Sequence, residues 1–456
     1  MSSFSLRPKF AIASLSLGTN AHHDLPTKIR VASTLGYEGI EIFLPDFESF
    51  IDQVRAGRHA DLFTNSPTAL STSDLELACA QAIQGLCRSL SLEIPLLQPL
   101  RNFENFCSQA EIQGGLAEAE RWLKIMSSMN SPLLLVCTNH IPPPHLTISK
   151  DYTLEMYYDT QINALRQLGS LAAKYDVRIG YEALAWGTVI HNWMQVWDIV
   201  KRVDRENVGV LLDSFNTLAN QYADPRQPST IREGMTLASM LSNIEEMART
   251  IPAEKIFFYQ IADAIRPAEI CHDDEDMPAR MKWSRTRRVF PCEPPAPDTT
   301  TGRDLQLDLE NPPSGYLGFL PVTQMTSLLH HGAGYRGWWS LEVFNSSLQE
   351  SDSACPERHG RRGINGLRSL WEVVQGDALS SRLGEHTNLE ESSFDRALTP
   401  SPTPSTPSLS VGSLSDSTAS NDSEEDIPTA IKKIADVREP KSTTEYFKEG
   451  KQVRGV

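Results

Sequence analysis

The sequence predicts an α/β chain folded as a (β/α)8 TIM barrel and followed by a disordered C-terminal tail. Three observations lead there. Eight short apolar runs of strand length alternate with longer stretches of helical period over the first three quarters of the chain. No glycine-rich phosphate turn follows the first run, which weakens the alternative of a doubly wound open sheet. Composition then breaks near residue 376. We assign 1–375 to a catalytic barrel and 376–456 to the tail.

The first run is Phe10–Ser14. Arg7 and Lys9 precede it, and with Phe10–Leu17 they have the outline of a secretion signal. The apolar part is short and no small-residue cleavage site follows, so a buried first strand is the better reading. The other runs are Gly39–Phe43, Leu90–Leu97, Pro132–Cys137, Val177–Tyr181, Val208–Leu212, Lys255–Ile261 and Trp338–Leu341. Continuous apolar runs of this length suit parallel strands covered on both faces. Between them, Thr27–Leu35 sets Ile29, Val31, Ala32 and Leu35 at helical spacing. Gly115–Met129 repeats Leu116, Ala119, Trp122, Leu123, Ile125 and Met126. Leu154–Tyr175 and Ile231–Ala248 behave alike, the latter through Leu237, Met240, Leu241, Ile244 and Met247. Pro291–Pro313, rich in Pro, Asp and Thr, reads as a surface loop. In the tail, 16 of the 24 residues from Leu398 to Asn421 are Ser, Thr or Pro. Such a stretch buries too little apolar surface to offset its chain entropy, and only a short helical piece is expected there, around Ile427–Val437.

Charge and cysteine content exclude several functions. The 456-residue chain has a formal charge of −16, the wrong sign for a nucleic-acid binder. Most of that charge lies before residue 376. No apolar run approaches the roughly 18–20 residues of a membrane span. The seven cysteines are scattered, odd in number and without a CxxC pair. Neither a disulfide framework nor a thiolate zinc site is expected, and a reduced, cytoplasmic compartment is.

Active sites of such barrels gather at the C-terminal ends of the strands. The second run ends near Glu41, the third near Gln98 and Arg101, the fourth near Asn139 and His140. The next four end in Glu182, Asp213, Gln260 and Glu342, in the strings RIGYE, VGVLLD, IFFYQ and WWSLE. A lone carboxylate at the end of a buried strand is costly, and three at one pore mouth repel each other unless a cation neutralises them. Three carboxylates and an amide oxygen form an all-oxygen donor set suited to one divalent ion, Mg²⁺ or Mn²⁺ before zinc.

The segments GYEGIEIF, LQPLRNFENF, YEALAWG, VGVLLDSFNTLA, FYQIADA, KWSRTRRVFPCE and GYRGWWSLEVFN resemble the 3-dehydroshikimate dehydratases of quinate catabolism. Those enzymes belong to the xylose-isomerase-like TIM barrels, and the resemblance runs in order from Phe10 to Val374. YEALAWG and the WSRxxRxFPxE pattern are specific to the group, whereas GYxGIE is shared more widely. The resemblance implies a divalent ion, Mg²⁺ or Mn²⁺ with Co²⁺ possible, on Glu182, Asp213, Gln260 and Glu342. It also implies a small carboxylate substrate held by Ser284, Arg288 and Arg101; the strand-end residues Glu41 and Gln98 are expected to bind it as well. A guanidinium fork fits a carboxylate at two points. The implied reaction is loss of water to give protocatechuate through an enolate.

The chain departs from the pattern at the base. Many members of the group carry histidine three residues after the strand-six Asp; here Asn216 stands there and has no titratable proton. Some bacterial relatives carry histidine two residues after the strand-five Glu, where this chain has Leu184. His140 is a substitute candidate, as is hydroxide on the ion. Two other readings remain: a sugar or keto-acid isomerase or epimerase of the superfamily, or a non-catalytic metabolite sensor with the tail as its contact region.

Overall fold

The computed structural model describes residues 7–274, 277–295 and 316–394, with side chains to residue 376. The chain divides into two units, Met1–Arg382 and Leu383–Val456, and the fold described here belongs to the first. Eight parallel strands close into a barrel: β1 Phe10–Ala13, β2 Gly39–Phe43, β3 Leu97–Leu100, β4 Leu133–Cys137, β5 Arg178–Glu182, β6 Val208–Asp213, β7 Ile256–Ile261 and β8 Trp339–Leu341. Each strand pairs with the next in sequence. β8 closes the ring on β1 through Phe10↔Trp339 and Ile12↔Leu341.

Alternation along the strands sorts their side chains into two layers. Leu134, Val136, Ile179, Tyr181, Val210, Leu212, Tyr259, Ile261, Trp339 and Leu341 point outward and join the large core between strands and helices. The positions between them face the barrel axis. There Leu133, Leu135, Cys137, Leu211 and Phe258 form a separate apolar plug. Nearer the C-terminal mouth the same parity carries Glu41, Gln98, Glu182, Asp213, Gln260, Ser340 and Glu342. Gly209 belongs to this inner set. A Cβ on it would lie 2.8 Å from the Lys255 carbonyl oxygen and 2.7 Å from the Phe257 ring, so only glycine lets β6 lie against β7 there.

Local signals start the helices. Asp24, Ser108 and Thr153 accept backbone N–H groups in the first turns of Leu25–Leu35, Gln109–Met129 and Leu154–Ala173. Asn192 with Gln195, and Thr236 with Ser239, form reciprocal caps for Trp193–Val203 and Leu237–Thr250.

Three expectations need correction. The run Leu90–Leu97 is not the third strand, which is Leu97–Leu100 and is preceded by the helix Thr72–Ser89. The run does lie beside β2, where Ile40 and Ile42 donate to the carbonyls of Glu93 and Leu96. Pro95, without an N–H, breaks the ladder until Leu97. The helix expected from Ile231 begins at Leu237, because Ile231 bridges to Ala223 and Gly234 is left-handed at φ 74°. The WSRTRR segment lies on regular elements: Ala279–Arg287 is helical, and Arg288–Val289 pairs antiparallel with Asp263–Ala264. The closing helix, Cys355–Phe394, runs past the composition break at 376. The Ser/Thr/Pro stretch, the helical piece around Ile427–Val437 and most of Pro291–Pro313 lie outside the described residues. All seven cysteines are free. Among the described residues no helix is long and apolar enough to cross a membrane.

Candidate active site

Asp213 does two jobs at once. It ends β6 and caps the short helix Ser214–Gln221, its Oδ1 accepting from the N–H of Phe215 (2.7 Å) and of Asn216 (3.2 Å). The cap fixes the carboxylate and leaves Oδ2 toward the barrel axis. Oδ2 accepts from Asn216 Nδ2 at 2.7 Å and from Arg288 Nη1 at 2.8 Å. Asn216 Nδ2 also donates to Glu182 Oε1 at 2.8 Å, and its Oδ1 accepts from Ala185 N at 3.1 Å. Arg288 Nη1 reaches Glu342 Oε2 at 3.0 Å and the Glu342 carbonyl at 3.1 Å. Glu182, Asp213 and Glu342 are thereby strung together through one amide and one guanidinium.

Arg288 is 1% exposed. Its pairing opposite Ala264 sets the backbone, and Ser284 Oγ accepts from its Nε at 3.0 Å. Phe215 and Phe344 flank the guanidinium at 4.2 and 5.3 Å from their ring centroids. A planar cation between aromatic faces keeps its orientation. Among the described residues, its hydrogen bonds use Nε and Nη1 and not Nη2.

Beside this string lies a second group. Glu41, fully buried, accepts from Gln98 Nε2 at 2.9 Å, from Gln260 Nε2 at 2.7 Å and from Ser340 Oγ. Glu41 and Gln98, expected against substrate, are thus bonded to each other and to a predicted ligand. Ser340 is a participant that the sequence reading missed, though it sits two residues before Glu342 and so on the same strand face.

Burial raises the carboxyl pKa of Glu182 and Glu342, and the neighbouring acidic groups raise both further. Burial likewise pushes Glu41 up to about 8. One guanidinium therefore faces an excess of buried carboxylates. Gln260 Oε1 is buried without a hydrogen-bond partner, an orphaned acceptor of the kind a cation satisfies. Among the described residues no three His, Cys, Asp or Glu side chains are already gathered around one point. In donor type and charge the four predicted residues fit a hard divalent ion.

The remaining predicted residues lie on the mouth loops. Arg101 is exposed, with its guanidinium 5.9 Å from the centroid of Phe43, the last residue of β2. His140 is half-buried after β4 and makes no hydrogen bond to the carboxylate string; burial lowers its pKa. Leu184 lies just beyond β5 against the inner plug. Sequence reasoning overlooked Glu104, which joins the β3 and β4 loops by accepting from Asn139 N (2.8 Å) and Nδ2 (3.3 Å). Burial pushes the Glu104 carboxyl up to about 7. A carboxyl whose folded pKa exceeds its unfolded value contributes stability at low pH and loses it as pH rises toward the folded pKa. Glu104→Gln should therefore flatten the fall in stability between about pH 5 and about pH 7 by on the order of 1–3 kcal/mol. Urea unfolding of both proteins in a chelating buffer measures it, and identical pH slopes would refute it.

Residues 29–370 match the family profile described as xylose isomerase-like TIM barrel. The chain is 30% identical to a 3-dehydroshikimate dehydratase of Neurospora crassa over 362 residues, 78% of this chain and 91% of that protein. The chain belongs to the 3-dehydroshikimate dehydratase branch of this barrel family. A Pseudomonas aeruginosa protein of the same name is 33% identical over 79% of this chain, which spans only 41% of that longer relative. Among solved structures, a xylose isomerase-like TIM barrel/4-hydroxyphenylpyruvate dioxygenase fusion protein aligns at 27% identity with TM-score 0.55, covering 83% of this chain and 45% of the fusion. IOLI protein with a binding zinc atom aligns at 16% identity and TM-score 0.53, over 80% of this chain and 98% of its own, a likeness of fold alone.

Proposed function

We propose that this protein dehydrates 3-dehydroshikimate to protocatechuate, using one divalent ion, Mg²⁺ or Mn²⁺, on Glu182, Asp213, Gln260 and Glu342. The observation that carries the reading is Arg288: a buried guanidinium, oriented by Ser284 and two aromatic rings, set beside three carboxylates and an orphaned amide oxygen. Bound there, the ion would supply Lewis-acid stabilisation of charge developing on the ring ketone oxygen.

The chain's own residues bind and orient. Arg288 Nη2, with Ser284 and Arg101 at the rim, receives the substrate carboxylate and fixes the ring. The carboxylate does not change charge during reaction, so this contact positions rather than activates. The reaction removes a proton from the carbon next to the ketone and hydroxide from the ring, yields water, and needs no redox partner. Asn216 cannot accept that proton, and its amide is already committed to Glu182, Asp213 and Ala185. His140, half-buried after β4, is the candidate for that base, and burial lowers its pKa.

The test is the full chain with Mg²⁺ or Mn²⁺ and 3-dehydroshikimate, followed by protocatechuate absorbance. Product should form with metal and disappear on chelation. No product with any divalent metal would sink the reading, and full turnover by His140→Ala would remove that residue from it.

A further inference from the structure

We infer that Glu41 is a positioning residue that fixes which atom of the Gln260 amide faces the metal site. An amide side chain has a donor end and an acceptor end, and packing alone distinguishes them poorly because they are nearly the same size. Here hydrogen bonding distinguishes them. Glu41 Oε2 accepts from Gln260 Nε2 at 2.7 Å and from Gln98 Nε2 at 2.9 Å, and this acceptor oxygen favours the NH2 end over the carbonyl end. With Nε2 committed, Oε1 must face the other way, where it is buried and lacks any partner. A buried acceptor without a donor is costly unless a bound group satisfies it.

The surroundings hold Glu41 in that role. It is fully buried, and every neighbour bonded to it is a donor: Gln98, Gln260 and Ser340. The barrel register supplies the arrangement, because Ser340 pairs with Gln260 across β7 and β8, and Phe43 with Gln98 across β2 and β3. Glu41 therefore reaches from β2 across the barrel axis to β7, joining strands that are not neighbours. Its oxygens are occupied by this task, which leaves it to act on the site through Gln260.

The inference rests on the metal reading above, and the test separates the two. Mn²⁺ alone is titrated into the purified full-length protein and the free ion is read by electron paramagnetic resonance. Glu41→Met removes the acceptor at similar volume and should weaken Mn²⁺ by roughly 10–100-fold, the usual effect of losing a residue that orients a ligand. Glu41→Gln, whose own oxygen can face Gln98 and Gln260, should bind within about threefold of wild type. Wild-type affinity in Glu41→Met overturns the inference while leaving the metal site standing. Equal weakening in both variants overturns it in favour of a simple charge effect. Failure of the wild type itself to bind Mn²⁺ overturns the metal reading, and this inference with it. Should Glu41→Met not fold, Ser340→Ala loosens the carboxylate without touching Gln260. A loss of about three- to tenfold is expected there, and unchanged affinity refutes the proposal equally.

Discussion

Arg288→Ala is expected to lower kcat/KM by at least about a thousandfold and to cost roughly 3–5 kcal/mol of stability, the usual penalty for removing one partner of a buried ion pair. The stability term follows from burial. Arg288 and Asp213 are almost fully enclosed, and Nη1 is shared between Asp213 and Glu342 at 2.8 and 3.0 Å. Without the guanidinium, Asp213 and Glu342 lose the cation they share, Glu182 loses a nearby positive charge, and the buried acidic cluster is left uncompensated. The loss should therefore be smaller near pH 5 than near pH 8. The rate term follows from the proposed role of Nη2 and Ser284, which together would anchor the substrate carboxylate. Arg288→Lys separates the two terms. It restores a charge but not the planar fork, so it should recover part of the stability and little of kcat/KM. Chemical denaturation and steady-state kinetics on both variants measure this. Unchanged turnover in Arg288→Ala would instead favour a sugar isomerase or epimerase, which needs no carboxylate clamp.

The four predicted ligands were legible because a buried parallel strand is apolar until it reaches the mouth. The first polar residue after such a run marks the strand's end, and period two then puts it on the axis. Glu182, Asp213 and Gln260 follow that rule, whereas on the last strand the polar Ser340 comes two residues before Glu342 on the same face. The third strand did not, since Pro95 interrupts an apolar run that composition alone cannot distinguish from a ladder. Glu41 and Gln98 were visible as mouth residues, but the sequence could not say that they bond to each other and to Gln260. That fact depends on the register between strands far apart in the chain. The Glu104–Asn139 link was invisible for a similar reason, joining two irregular loops 35 residues apart. Asn216 was legible as a departure, whereas its use as a clamp between Glu182 and Asp213 emerged only from the geometry.

Glu342→Ala should abolish metal-dependent turnover, by at least about a thousandfold, and erase the stabilisation that Mn²⁺ gives the wild type. For a ligand at 100 times its Kd that stabilisation is about 2.7 kcal/mol. The metal-free protein should respond in a different direction. Burial already holds the Glu342 carboxyl well above its ordinary pKa, so removing it relieves repulsion with Asp213 and Glu182 while Arg288 keeps its contact to Asp213. Against this stands the loss of one buried methylene, about 0.8 kcal/mol, and of the carboxyl's contact with Arg288. The net change in the metal-free state should therefore be small. A residue that merely supports the barrel would behave otherwise, lowering the melting temperature with and without metal alike. Melting curves of wild type and Glu342→Ala, each with chelator and with excess Mn²⁺, distinguish the two roles. An undiminished Mn²⁺ shift in the variant, or a wild-type rate, would refute the ligand set.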